Sequence, residues 1–259
     1  MSAILLDGSI VHYEVLGRGR PVIFLHGWVG SWRYWISAMQ VASTSYRAYA
    51  LDLWGYGDTA HIAANYPIER QAGLISHFLN EMGIGKVALV GHGLGALVGM
   101  QFAKGFPASV DRIMAISCPL HYDAVNSRLR TTPPADLVDW LSSRTPEATV
   151  ALADASKADP EAVTPSIELL RADNFFGSFR SLNIPTLFVY GERDQAITIP
   201  DEAANSTLTQ QFTLEESGHF PMLDETVKFN RLLTDFLALE SGASPSELEM
   251  KEEWKRRVR

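Results

Sequence analysis

Four short segments of this 259-residue sequence hold the side-chain types that proton transfer at a carbonyl group requires. They are His26-Gly27-Trp28, Gly91-His92-Gly93-Leu94-Gly95, Gly191-Glu192-Arg193-Asp194 and Ser217-Gly218-His219-Phe220. An imidazole takes and returns a proton near neutral pH, and a carboxylate beside it fixes the tautomer and balances the charge. Asp194 and His219 are the candidates for that pairing. Singly, Asp194 reads as a turn residue and His219 as a helix-entry cap. Together, in this order, they read as an acid–base pair. His92 reads as a structural neighbour, and His26-Gly27 as either a packed glycine turn or a functional loop. His12, His61, His77 and His121 fall in no ligand spacing and no H-E-x-x-H occurs, so no metal is expected. The single cysteine, Cys118, rules out an intramolecular disulfide and any thiolate-built zinc or iron–sulfur site.

The segments lie where a parallel sheet would present them. Pro21–Leu25, Ala48–Leu51, Val87–Val90 and Arg112–Ile116 are short apolar runs of the kind buried on both faces, Pro185–Tyr190 resumes the pattern later in the chain, and Gln211–Leu214 adds a last strand. Between two of them Ile68, Ala72, Ile75, Leu79 and Met82 share a helical face closed by Gly83 and Gly85. A second helix runs from Gly95 to Phe106 and stops at Pro107. Leu223, Val227, Leu232, Phe236 and Leu237 mark a last packing helix. This alternation predicts an α/β fold: a doubly wound, mostly parallel sheet with ligand chemistry outside the carboxyl ends of its strands. From about Pro119 to Leu182 the pattern is helical, with Pro133-Pro134 as a breaker, and predicts a lid inserted into the sheet. The expected division is therefore a core of residues 1–118 and 183–240, a helical lid of 119–182, and a charged tail of 241–259.

The order of these features resembles the α/β-hydrolase fold, from about Leu6 to Leu239. In that family a G-x-S-x-G elbow follows a strand, an acid follows a later strand, and a histidine comes last. The resemblance implies Gly93 at the nucleophile position, Asp194 as the acid and His219 as the base. It also implies an oxyanion hole from the N–H groups of Leu94 and Trp28. Glycine carries no attacking atom, so a covalent intermediate at Gly93 is excluded. Leu94 replaces the tryptophan that commonly follows an aspartate nucleophile in haloalkane dehalogenases and epoxide hydrolases. The loop His26-Gly27-Trp28-Val29 also lacks the proline often found in epoxide hydrolases. The resemblance thus points to serine esterases, thioesterases or C–C bond hydrolases. It implies an ester or acyl hydrolase type, with hydrolysis very weak or absent because of Gly93. The alternatives are a non-catalytic small-molecule binding or sensor protein, and a lyase or hydrolase that uses His219 without a covalent intermediate.

Composition narrows the partners. Twenty-two Lys+Arg against 30 Asp+Glu give a formal charge of -8 and a pI near 5.4, unsuited to a general nucleic-acid binder. Met1–Asp7 has no basic start or long apolar run, and no segment is apolar for long enough to span a bilayer; a cytoplasmic location without membrane contact is expected. Gly91, Gly93 and Ala96 fit a dinucleotide fingerprint. The acidic residue that must end the next strand is missing, because Asp111 precedes Arg112–Ile116. No cofactor is expected. Trp28, Trp32 and Trp35 read mainly as packing, with Trp28 bordering the pocket. Tyr122, Trp140, Phe175, Phe176 and Phe179 in the insertion suggest a small apolar or aromatic ester-like ligand. The oligomeric state is left open.

Overall fold

A computed structural model of the chain describes residues 2–143, 145–171, 175–200 and 207–248, with the side chains of residues 175, 178 and 179 excepted. Asp7-Gly8, both at positive φ, turns strand β1 (Ser2–Leu6) into antiparallel β2 (Ser9–Gly17). This hairpin is absent from the sequence expectation, although Asp-Gly between alternating apolar residues is its usual signal. The expected strands follow as β3 (Arg20–Leu25), β4 (Tyr46–Leu51), β5 (Val87–His92), β6 (Val110–Ile116), β7 (Thr186–Gly191) and β8 (Thr209–Leu214). They form one eight-stranded sheet in the order β1-β2-β4-β3-β5-β6-β7-β8, parallel from β4 onward across the sheet. All of β5 and β7 is buried, which requires cover on both faces of the sheet. The α/β fold is as the apolar runs predict.

The cover comes from α1 (Ile36–Ala42), α2 (Ile68–Glu81), α3 (Leu94–Gly105), α9 (Pro221–Asp224) and α10 (Thr226–Ala238), with α1 against α10 and α2 against α3. α2 buries Ile68, Ala72, Ile75 and Leu79 together with Gln71, Leu74 and Phe78, and gives way to Gly83 at φ +65. One expectation fails on α10: Val227 is 84% exposed, and the buried stripe is Phe229, Leu232, Leu233, Phe236 and Leu237. Val227 precedes Leu232 by five positions, off the three-and-four rhythm of a helical face. Leu223 belongs to α9, not to that helix.

Between β6 and β7 lie α4 (Ser127–Thr131), α5 (Pro134–Leu141), α6 (Pro146–Ala151), α7 (Val163–Ile167) and α8 (Phe175–Arg180), joined by 3₁₀ turns. Pro133-Pro134 separates α4 from α5, and Pro134 opens α5, where a missing N–H costs nothing. No strand interrupts this stretch among the described residues, apart from the single bridge Val125–Ile197. Beyond Leu248 the expected charged tail lies outside the described residues.

Candidate active site

β5 passes into α3 with only Gly93 between them. Gly93 N–H donates to the Ile116 carbonyl on β6 (2.8 Å), and its own carbonyl accepts from Leu97 N–H (3.2 Å). Its φ of +47 and ψ of -107 lie where side-chain-bearing residues are strained. α3 must press on β3 to make this turn: a Cβ at Gly95 would stand 2.2 Å from the Leu25 carbonyl oxygen. At Gly93 the obstacle is a side chain. A Cβ there would lie 2.9 Å from Cζ3 and 3.1 Å from Cε3 of Trp28. That indole is fully buried, and its Nε1–H donates to Ser166 Oγ on α7 (2.8 Å). Ser166 in turn donates to the Val163 carbonyl (2.6 Å). The residue expected to border the pocket thus covers Gly93, held by the insertion. The N–H groups of Leu94 and Trp28 have no acceptor among the described residues.

Asp194 and His219 meet as expected. His219 Nδ1 lies 3.0 and 3.1 Å from the two carboxylate oxygens, and both side chains are buried. Asp194 Oδ1 also accepts from the N–H groups of Ala196 (2.8 Å) and Ile197 (3.2 Å). Burial alone would raise the Asp194 pKa. The charge and hydrogen bond of His219, the Ala196 N–H and the Ser117 hydroxyl outweigh it and hold the carboxyl below its ordinary value. With Nδ1–H given to the carboxylate, His219 Nε2 is left as a proton acceptor, buried and without a partner among the described residues.

His92 is the structural neighbour expected. Its Nε2 faces the His219 carbonyl oxygen at 2.8 Å; a carbonyl only accepts, so the proton is on Nε2. Nδ1 then accepts from the Tyr34 hydroxyl (3.1 Å), which itself accepts from Gly27 N–H. Burial, with the nearby His219, drives the His92 pKa well down. A neutral chain of hydrogen bonds therefore links the loop after β3 to the backbone of His219. The rings of His92 and His219 have centres 4.6 Å apart.

His26 braces its loop. Nδ1–H donates to the Gly27 carbonyl (2.8 Å), and Nε2 accepts from Leu53 N–H (2.9 Å). Asp52, which the sequence did not single out, accepts from Trp32 N–H (2.9 Å), Asp58 N–H (3.1 Å) and His12 Nδ1–H (2.8 Å) while fully buried. His12, Asp52 and Asp58 bring ligand-type atoms within 4.8 Å of one another, a juxtaposition their spacing did not suggest. Those atoms are already engaged, Asp58 with Lys157 Nζ (2.8 Å), and the group reads as a brace between β2, β4 and the loop after β4. Cys118 is buried, which pushes its thiol pKa up and leaves it a poor nucleophile.

The insertion closes over one side of the histidine. A cavity of about 310 Å³ is lined by Trp140, Ser143, Gly218, His219, Leu223 and Asp224, among others. Tyr122 is covered by the guanidinium groups of Arg171 (3.6 Å) and Arg130 (4.5 Å), and Phe176 packs edge-on against Phe188. The side chains of Phe175 and Phe179 lie outside the described set.

A mostly parallel sheet with a buried Asp–His pair and a glycine turn gathered at its carboxyl ends is the architecture of an α/β hydrolase. Residues 22–232 match the model of the Alpha/beta hydrolase family, and the chain belongs to that family. A curated relative from Escherichia coli O139:H28, RutD, is provisionally named a carbamate hydrolase; it is 28% identical over 84% of this chain and 91% of its own length. The dihydrolipoyllysine-residue acetyltransferase component of the acetoin cleaving system of Cupriavidus necator is 27% identical over 90% of this chain and 67% of its own. The esterase EaEST from Exiguobacterium antarcticum superposes with a TM-score of 0.78 at 21% identity, over 92% of this chain and 99% of that one. No described helix is long and apolar enough to cross a membrane.

Proposed function

We propose that this chain is an α/β hydrolase of the ester or acyl type in which Asp194 and His219 form the acid–base pair and Gly93 stands at the nucleophile position. The observation that carries this is the buried His219 Nε2, left without a partner among the described residues while Nδ1 is held by Asp194. In this reading Nε2 takes a proton from a hydroxyl or water, Asp194 balances the imidazolium, and the Leu94 and Trp28 N–H groups receive the oxyanion. The start of α3 adds its partial positive charge at Leu94. Residues 119–182 act as a lid, and the ligand is a small apolar or aromatic ester-like molecule. The names support the hydrolase reading: a curated relative is named a carbamate hydrolase and a structural neighbour an esterase.

Losing a triad nucleophile costs on the order of 10⁶ in turnover and leaves about 10³–10⁴ over water. Ordinary ester hydrolysis by this chain is then barely measurable. The test is a screen of aryl and short-chain esters with the parent beside Gly93→Ser. Activity that appears with the serine and vanishes on adding His219→Gln supports the reading. A folded serine variant with no activity and no fluorophosphonate labelling overturns it. Trp28 supports a second reading: its indole already fills the space above Gly93, which suits a binding protein, or chemistry by His219 without a covalent intermediate. Turnover by the parent that needs His219 and is unaffected by fluorophosphonate would select the non-covalent enzyme.

A further inference from the structure

We propose that Tyr34 and His92 are positioning residues that couple the loop carrying the Trp28 N–H to His219, fixing the oxyanion donor and the base relative to each other. The proposal rests on the reading of His219 as the base and of the Trp28 N–H as an oxyanion donor. That N–H shares a peptide unit with the Gly27 carbonyl, and a planar trans peptide points the two in opposite directions. Gly27 itself has no Cβ to restrict its torsions, because the His92 ring lies where one would be: a Cβ would stand 2.6 Å from Nδ1. The peptide units on either side of Gly27 are therefore held by side chains. His26 Nδ1–H donates to the Gly27 carbonyl (2.8 Å), and the Gly27 N–H donates to the Tyr34 hydroxyl. With both planes held, the direction of the Trp28 N–H is set.

The same hydroxyl starts the path to the base. Tyr34 donates its own proton to His92 Nδ1 (3.1 Å), and His92 Nε2–H donates to the His219 carbonyl (2.8 Å). The ends of this chain dictate every role within it. An amide N–H only donates and a carbonyl only accepts, so the protons run one way, from Gly27 to His219. Tyr34 and His92 are fully buried, so a broken link leaves a polar group unpaired in the interior, which is costly. His92 is also the residue before Gly93, so the relay runs past the turn at the nucleophile position. The Ser117 hydroxyl approaches the same His219 carbonyl at 3.3 Å, but from the end of β6 and not from the loop after β3. Tyr34 and His92 thus join the two loops that must face each other across a reacting carbonyl.

The test compares full-length Tyr34→Phe, His92→Asn, His92→Gln and Asp194→Asn with the parent by NMR of uniformly ¹⁵N-labelled protein. Two readouts are followed: the low-field Nδ1 proton of His219, assigned by its loss in His219→Gln, and hydrogen exchange at the Gly27 and Trp28 amides. Asp194→Asn is expected to abolish the His219 signal. Tyr34→Phe keeps the ring that packs edge-on against His92 and Phe220 and removes only the hydroxyl. It is expected to speed Gly27 exchange about tenfold, the ratio for one lost hydrogen bond, and to displace the His219 signal two hydrogen bonds away. His92→Asn keeps an acceptor for Tyr34 but is too short to reach the His219 carbonyl, so the His219 signal should move more than Gly27 exchange. His92→Gln, which reaches that carbonyl and offers Tyr34 no ring nitrogen, should do the reverse. A Tyr34→Phe protein with faster Gly27 exchange and an unmoved His219 signal overturns the coupling. So does a lower thermal midpoint in the three relay variants with both readouts unchanged, which marks packing alone. A parent without the His219 signal, or an Asp194→Asn protein that keeps it, overturns the acid–base reading and this proposal with it.

Discussion

Placing a side chain at position 93 is the perturbation with the most definite consequences. In Gly93→Ala and Gly93→Ser the backbone must hold φ +47, ψ -107, which costs a non-glycine residue about 1–3 kcal/mol. The new Cβ also starts 2.9 Å from the Trp28 ring. The indole can retreat only by stretching its 2.8 Å hydrogen bond to Ser166 inside a fully buried site, and crowding of that kind costs about 1–3 kcal/mol more. The sum is roughly 2–6 kcal/mol. At about 2–4 °C per kcal/mol for a chain of this size, the midpoint falls by roughly 4–24 °C. Differential scanning calorimetry of parent, alanine and serine variants measures it, with near-infrared-tagged fluorophosphonate labelling run in parallel. Alanine and serine should lose similar stability, since both carry the same Cβ, while only serine becomes labelled. Adding Ser166→Ala frees the indole and should speed that labelling. An alanine variant within about a degree of the parent would refute both the strain and the pinned ring.

Ser166→Ala in the parent leaves the Trp28 Nε1–H buried without an acceptor; a loss of about 1–3 kcal/mol and greater acrylamide quenching of tryptophan emission are expected. Quenching unchanged from the parent counts against the latch. Asp52→Ala orphans the N–H groups of Trp32 and Asp58 and the His12 ring, and chemical denaturation should show a loss of about 3–5 kcal/mol. Asp58→Ala, at the exposed end of the same group, should cost no more than about 1 kcal/mol. His26 and His92 have pKa values held below the ordinary 6.5, chiefly by burial. The unfolded chain therefore takes up protons that the folded one refuses, and the midpoint should fall as pH drops from 7 to 5. His12 opposes this. Burial would lower its pKa, but the hydrogen bond and charge of Asp52, with Glu14 and Asp58, raise it overall. Its contribution is present below 6.5 and lost as pH rises through the raised value, so His12→Gln should steepen the acid loss. A shallower slope would reverse the sign of that argument.

The sequence announces what depends on local pattern. β3 to β7 are largely apolar runs bounded by turns, β8 is a more polar strand that follows them, and the Asp194–His219 pair follows from two polar residues placed just past the last two strands. The hairpin β1–β2 escaped because an edge pair is only half-buried: Leu5 and Ile10 face solvent while Leu6 and Val11 do not, so no continuous apolar run forms. The anchors around the site were illegible for another reason. Ser166 meets Trp28 across 138 positions, and a serine in a helix carries no mark of its distant partner. Gly93 was legible as a missing hydroxyl, but not as the floor beneath an indole.

Chain order and sheet order differ in a way that matters while the protein is being made. β3 is synthesised before either of its neighbours, β4 and β5, and β7 precedes its outer neighbour β8. Synthesis delivers the amino-terminal end first, so Thr186–Gly191, apolar and buried throughout in the finished fold, waits with an open edge until Thr209–Leu214 has left the ribosome. An open apolar edge is a template for pairing with another chain. His219 emerges only after β8, so the partner of Asp194 arrives with the segment that closes the sheet. Chains cut short between β7 and β8 are consequently the species most exposed to aggregation and to chaperone capture, and none of them can assemble the Asp194–His219 pair.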